Sequence, residues 1–185
     1  MRKFSACAPT LFFLAGCALF SSLILVWRSA DDKLHKQETY FSSPIKPESQ
    51  SIRLRNDPYG KGYFGASRNG KRRHKGIDVL ARLGEPVLAS KSGRIVFAGQ
   101  EKGYGLFAEI GHFDGLRTRY AHLSRLYGRQ GDWVARGDII GTCGKTGNAS
   151  AAGIQPHVHF EIITLYGALN PSTGLLDPQI LIRKT

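Results

Sequence analysis

The sequence predicts a mainly β domain, an antiparallel sheet or sandwich, preceded by an N-terminal transmembrane helix. Three observations point there. Short apolar runs rich in Val, Ile, Tyr and Phe recur through the second half, with glycines at their ends, the pattern of strands joined by tight turns. No long 3.6-residue hydrophobic periodicity accompanies them, which argues against a helical bundle. A long uncharged stretch stands near the N-terminus. A chain of 185 residues accommodates one domain with appendages and a real core.

The first element is the uncharged stretch. Arg2 and Lys3 precede it, it runs from Phe4 to Trp27, and Arg28, Asp31 and Asp32 close it. Those 24 residues, at ~1.5 Å rise each, span a bilayer. The stretch exceeds the roughly 7–15-residue apolar region of a cleaved signal peptide. Residues 1–29 therefore read as a signal anchor with its basic end in the cytoplasm and the following chain outside. Leu14-Ala15-Gly16-Cys17 resembles a lipobox, so a lipoprotein signal is the competing reading; the apolar residues after Cys17 speak against it. Either reading puts the domain outside the cytoplasm on a membrane.

Residues 30–52, polar and containing Pro44 and Pro47, read as a linker, and residues 53–185 as the domain. The net charge of +12 suits a polyanionic partner. Residues 53–73 concentrate that charge in Arg53, Arg55, Lys61, Arg68, Lys71, Arg72 and Arg73, interrupted by Tyr63 and Phe64. Basic residues interleaved with aromatics also suit nucleic acid, but the membrane segment argues against that partner. A basic rim beside an anionic substrate fits better. Three cysteines make no disulfide framework, and Cys143, the one inside the domain, reads as a small residue in a glycine-rich turn.

Candidate strands are Pro86–Ala89, Gly93–Ala98, Leu106–Ile110, Arg117–Ala121, Trp133–Ala135, Asp138–Ile140 and Val158–Ile163. His157-Val158-His159 opens the last of them. In a strand, residues i and i+2 share a face, so the two imidazoles stand side by side. Burying two histidines without a task is costly; a metal or a proton relay supplies one. His74-Lys75-Gly76-Ile77-Asp78 offers an imidazole and a carboxylate, with Gly76 and Ile77 disfavouring a helix and suggesting a turn into a strand. A set of His, Asp and His is one that zinc accepts, leaving a fourth position open. Arg119-Tyr120-Ala121-His122-Leu123 adds a histidine near a strand end, with Tyr120 two residues before His122 and able to share its face. His35 lies in the linker and reads as incidental.

In this order and spacing the motifs resemble the lysostaphin-type, LytM-like zinc endopeptidases. The stretches are HKGIDVLARLGEPVLASKSGRIVFAG, GYGLFAEIGHFDGLRTRYAHLS, GDWVARGDIIGTCGKTG and PHVHFEI, and the resemblance covers roughly residues 62–181. It implies a peptidase domain with a groove that holds one Zn2+, with His74, Asp78 and His159 as ligands. His157 and His122 would flank the reacting water as catalytic residues, one of them the general base; which one stays open. His112 matches a position that the family often fills with histidine, next to a strand end, and reads as structural. Glu161 shares the face of His157 and His159, where it either orients a ligand or stands at the surface. The resemblance further implies a bacterial cell envelope location, periplasmic in a Gram-negative cell, and peptidoglycan as substrate. The expected activity is hydrolysis of peptide bonds in stem peptides or cross-links during wall remodelling. A regulatory envelope protein is a conceivable further partner, and the segment before His74 could cover the cleft in a latent form. Asn148–Pro156 is longer than the family's usual stretch before the HxH motif. The alternative is a non-catalytic LytM-like activator of another wall hydrolase, a class that has lost one or more of these five residues; all five are present here.

Overall fold

The computed structural model describes residues 38–184, apart from 69 and 71. The expected signal anchor, Cys17, His35 and the start of the linker lie outside these residues. Among the described residues, no helix is long and apolar enough to cross a membrane, and the sole helical element is a 3-10 turn, Gly147–Ala149.

Fifteen strands, joined by turns and loops, accompany it among the described residues. They are β1 (Ser51–Leu54), β2 (Asn56–Asp57), β3 (Gly60–Lys61), β4 (Ser67–Arg68), β5 (Arg72–Arg73), β6 (Ile77–Leu80), β7 (Pro86–Leu88) and β8 (Gly93–Glu101). After them come β9 (Gly105–Gly111), β10 (Arg117–Leu126), β11 (Trp133–Val134), β12 (Ile139–Cys143), β13 (His157–Thr164), β14 (Gly167–Leu169) and β15 (Leu181–Lys184). Each of the seven strands expected from the sequence is present, with ends displaced by a few residues. One large sheet runs β11-β8-β9-β10-β13-β6-β1-β15; β12 pairs with β10 and β7, and β14 with β13. Its ladders are antiparallel except β1–β15, which is parallel. β2–β3 and β4–β5 form two small separate hairpins.

Alternation along β13 explains the layering. Val158, Phe160 and Ile162 point to one face and are fully buried; they pack with Ile77 and Val79 of β6 and Tyr120 of β10. Removing a side chain such as Phe160 from this layer would cost about 3–5 kcal/mol. The opposite face of β13 carries His157, His159 and Glu161. The core also takes in residues from the segment read as linker: Phe41 and Ile45 are buried, and Phe41 bridges to Leu176. Two scattered apolar residues among prolines and serines carry no periodicity, so the sequence pattern misses this packing.

Candidate metal centre

The β6–β13 register builds the centre. Asp78 stands directly opposite His159, and Leu80 opposite His157. Opposed residues of an antiparallel pair share a face, so the carboxylate lands beside both imidazoles. His74 reaches the same place from the turn before β6, where its N–H bonds to the Ala66 carbonyl. Gly76 makes that turn feasible: a Cβ there would collide with the carbonyl oxygen of Phe160.

His122 arrives by a different device. β10 slips register against β9 between Tyr120 and Leu123, and His122 sits at φ 65. A left-handed non-glycine residue in a bulge stores strain and re-aims a side chain. Tyr120 therefore does not share a face with His122. It is buried in the core, where its hydroxyl bonds the Ser90 N–H at 2.8 Å and the Thr118 hydroxyl at 2.9 Å. The sequence expectation of a common face fails because a bulge breaks the two-residue alternation.

All five residues singled out in the sequence converge. His74 Nε2, Asp78 Oδ1 and His159 Nδ1 lie 2.8–2.9 Å from one another. His157 Nε2 is 3.8 Å from Asp78 Oδ1, and the ring centroids of His122 and His157 are 5.0 Å apart. Each imidazole also has its second nitrogen committed to an acceptor on the outside. His74 Nδ1 meets the Tyr63 carbonyl at 2.9 Å, His122 Nδ1 the Thr146 carbonyl at 2.9 Å, and His157 Nδ1 the Gln155 carbonyl at 2.6 Å. His159 Nε2 meets Glu161 Oε1 at 2.8 Å. Carbonyl and carboxylate oxygens only accept, so the imidazoles donate outward and turn their lone pairs inward. Three acceptor atoms then face one another, an arrangement that calls for a cation between them.

The electrostatics agree. Burial opposes protonation of His159, yet the Asp78 and Glu161 carboxylates outweigh it and push its pKa up to about 9. Burial would raise Asp78, but its contacts with the His159 and His74 rings hold it well below the usual carboxylate range. Burial lowers His157. Burial, followed by the neighbouring His157 and His159, lowers His122 to about 3.

Several contributors were not singled out as site residues in the sequence. Arg55 Nε and Arg68 Nη2 donate to Asp78 Oδ2 at 3.1 and 2.8 Å. Arg119 bridges Glu161, at 2.9 Å, and Glu109. Its guanidinium also lies 4.2 Å over the Tyr104 ring, whose hydroxyl donates to Glu161 at 3.1 Å. Glu161 is thus buried and holds His159, not a surface group. His112 stands apart, bonded to the Ser92 carbonyl and the Thr118 hydroxyl at 2.9 Å each. Burial, reinforced by Glu85, pushes the Cys143 thiol up to about 12, too high for a nucleophile at neutral pH.

Residues 72–171 match the family model described as Peptidase family M23, over half of the chain. The chain belongs to peptidase family M23. Its curated M23-type relatives include DD-carboxypeptidase/endopeptidase Mpg of Neisseria meningitidis serogroup B (strain ATCC 13091 / M2091). That protein is 41% identical over 110 residues, which are 59% of this chain and 24% of Mpg. Murein hydrolase activator NlpD of Escherichia coli (strain K12) is 37% identical over 109 residues, 58% of this chain and 27% of NlpD. The matched region is thus about a quarter of the length of these relatives. The solved structure of the antimicrobial peptidase lysostaphin from Staphylococcus simulans superposes with a TM-score of 0.55 at 34% identity, covering 63% of this chain and 48% of that one. A zinc-containing peptidase from Vibrio cholerae shares the fold, with a TM-score of 0.60 at 23% identity over 75% of this chain and 41% of that one. The M23 family thus includes both named peptidases and a named activator of murein hydrolases.

Proposed function

We propose that this M23 chain is a zinc-dependent endopeptidase that hydrolyses peptide bonds in peptidoglycan stem peptides or cross-links. The observation that carries the reading is the inward convergence of four imidazoles and one carboxylate, each imidazole oriented by an outer acceptor. Two nitrogen donors and one oxygen donor fit zinc, which takes such triads and keeps a position open for chemistry. His74, Asp78 and His159 would hold it. When bound, the ion polarises a carbonyl and lowers the pKa of water.

The protein's own groups supply the rest. His122 and His157 are both held below the ordinary histidine range by burial, so both are neutral at neutral pH. Each keeps an unprotonated Nε2 toward the centre. One takes the proton from the attacking water as general base, and the protonated imidazole then passes it to the leaving amine. The other, neutral and with its Nε2 lone pair turned inward, accepts a hydrogen bond from the same water and fixes its approach to the carbonyl. Glu161 and the main-chain acceptors keep each ring in one tautomer.

In this reading residues 1–29 anchor the chain in the cytoplasmic membrane, and the domain works outside the cytoplasm. The decisive experiment incubates the full chain, in detergent, with purified peptidoglycan, with and without a zinc chelator, and identifies released fragments by mass spectrometry. New peptide termini that vanish with chelator are expected. A second reading, an activator of another wall hydrolase, is favoured by the 37% identity to NlpD. Zinc-loaded, folded protein that cuts nothing yet stimulates another murein hydrolase would establish it.

A further inference from the structure

Asp78 gives its two oxygens to opposite neighbours. Oδ1 faces His74 and His159. Oδ2 accepts from Arg55 Nε at 3.1 Å and from Arg68 Nη2 at 2.8 Å. The two arginines are anchored differently. Arg55 also grips both oxygens of Asp57, at 2.7 and 2.9 Å, so its charge is shared with a second acid. Arg68 bonds the Lys61 carbonyl at 2.9 Å, and among the described residues Asp78 is the sole acid within ion-pair distance of it. Its place is kept by Gly60, at φ 145, where a Cβ would come within 2.8 Å of Arg68 Nη1.

A carboxylate with both oxygens free can chelate an ion. With Oδ2 occupied by two charge-assisted hydrogen bonds, chelation would break contacts to guanidiniums that are themselves desolvated. Two cations on one oxygen also draw electron density from the other and repel a dication a few ångströms away. We propose that Arg68, backed by Arg55, holds Asp78 as a one-oxygen ligand and weakens the grip of the His74–Asp78–His159 centre on its metal. The bound ion is left electron-poor and more Lewis-acidic. Glu161 acts on His159 with the opposite sign: a carboxylate behind an imidazole strengthens it as a donor. One flank of the centre tightens the metal while the other loosens it. This inference rests on the metal-centre reading above.

The test measures metal binding, not turnover. Arg68→Met keeps the length of the side chain and removes its charge; Arg68 is about one-fifth exposed, and Arg68→Gln offers a milder change should the Met variant fail to fold. Zinc affinity of the full-length protein is measured by competition with a chromophoric chelator, and the cobalt-loaded forms are compared by visible absorption. Arg68→Met is expected to bind zinc roughly ten-fold more tightly. Its cobalt band should weaken, as when a second carboxylate oxygen raises the coordination number. Arg68→Lys, which restores charge, should return the affinity toward that of the unaltered protein. Equal or weaker binding in Arg68→Met with an unchanged cobalt spectrum overturns the inference. An unaltered protein that binds no zinc, or binds it equally well as His159→Ala, overturns the metal-centre reading and this inference together. Binding that requires His159 but ignores Arg68 removes the inference alone.

Discussion

His122 donates its Nδ1 proton to the carbonyl oxygen of Thr146 across 2.9 Å, and that bond decides which nitrogen faces the centre. Thr146 is fixed in turn: its hydroxyl donates to the Leu123 carbonyl and accepts from the Leu106 N–H, both at 2.9 Å. The ring is therefore held with Nε2 toward the centre, its centroid 5.9 Å from that of His159. His122→Ala is expected to retain zinc, measured by elemental analysis, while peptidoglycan cleavage falls about 10²–10⁴-fold. Normal cleavage in that variant would remove His122 from the mechanism.

The reverse pattern is expected on β13. His159→Ala should lose zinc and activity together, because it deletes a donor. Full zinc occupancy in that variant would refute the ligand assignment. Glu161→Gln keeps the ring and its hydrogen-bond geometry but removes the charge behind it. Zinc affinity should fall about 10–100-fold with the fold intact, read by chelator competition beside a melting curve.

Two histidines give the metal-free protein opposite pH dependences. His159 is raised to about 9 from 6.5, so its protonated form stabilises the fold fully below pH 6.5, and this is lost as pH climbs to about 9. His122 is lowered to about 3, so its contribution is present above 6.5 and lost as pH falls toward 3. The melting temperature of metal-free protein should therefore peak near neutral pH and decline on both sides. Added zinc should abolish the alkaline decline, since the ion replaces the proton between the same atoms. An alkaline decline that persists with saturating zinc would disprove the exchange.

Legibility in the sequence followed the range of the physics involved. The HxH pair announced itself because strand alternation is local, and the seven expected strands followed from short apolar runs bounded by glycine. Glu161 was readable by the same parity. Arg55 and Arg68 were not: they lie 23 and 10 residues before Asp78, and meet it through the β1–β6 pairing and through the two-residue strands of the β4–β5 hairpin, neither long enough to show a pattern. β15, four residues long and paired in parallel with β1, depends equally on contacts distant in sequence. Tyr120 was misplaced because a bulge is invisible to alternation.

Gly76 separates His74 from Asp78, and its hydrogen side faces the neighbouring strand. A methyl group there would collide with the Phe160 carbonyl oxygen and lie 2.9 Å from Glu161 Cγ. The first obstacle is backbone within β13, which cannot yield as a side chain does. β6 would have to withdraw, and the register that sets Asp78 opposite His159 would go with it. Gly76→Ala should thus cost about 1–3 kcal/mol of stability through overpacking and weaken zinc binding, although no ligand is touched. Unaltered melting and zinc affinity in this variant would show that β6 and β13 need not pack so closely for the centre to form.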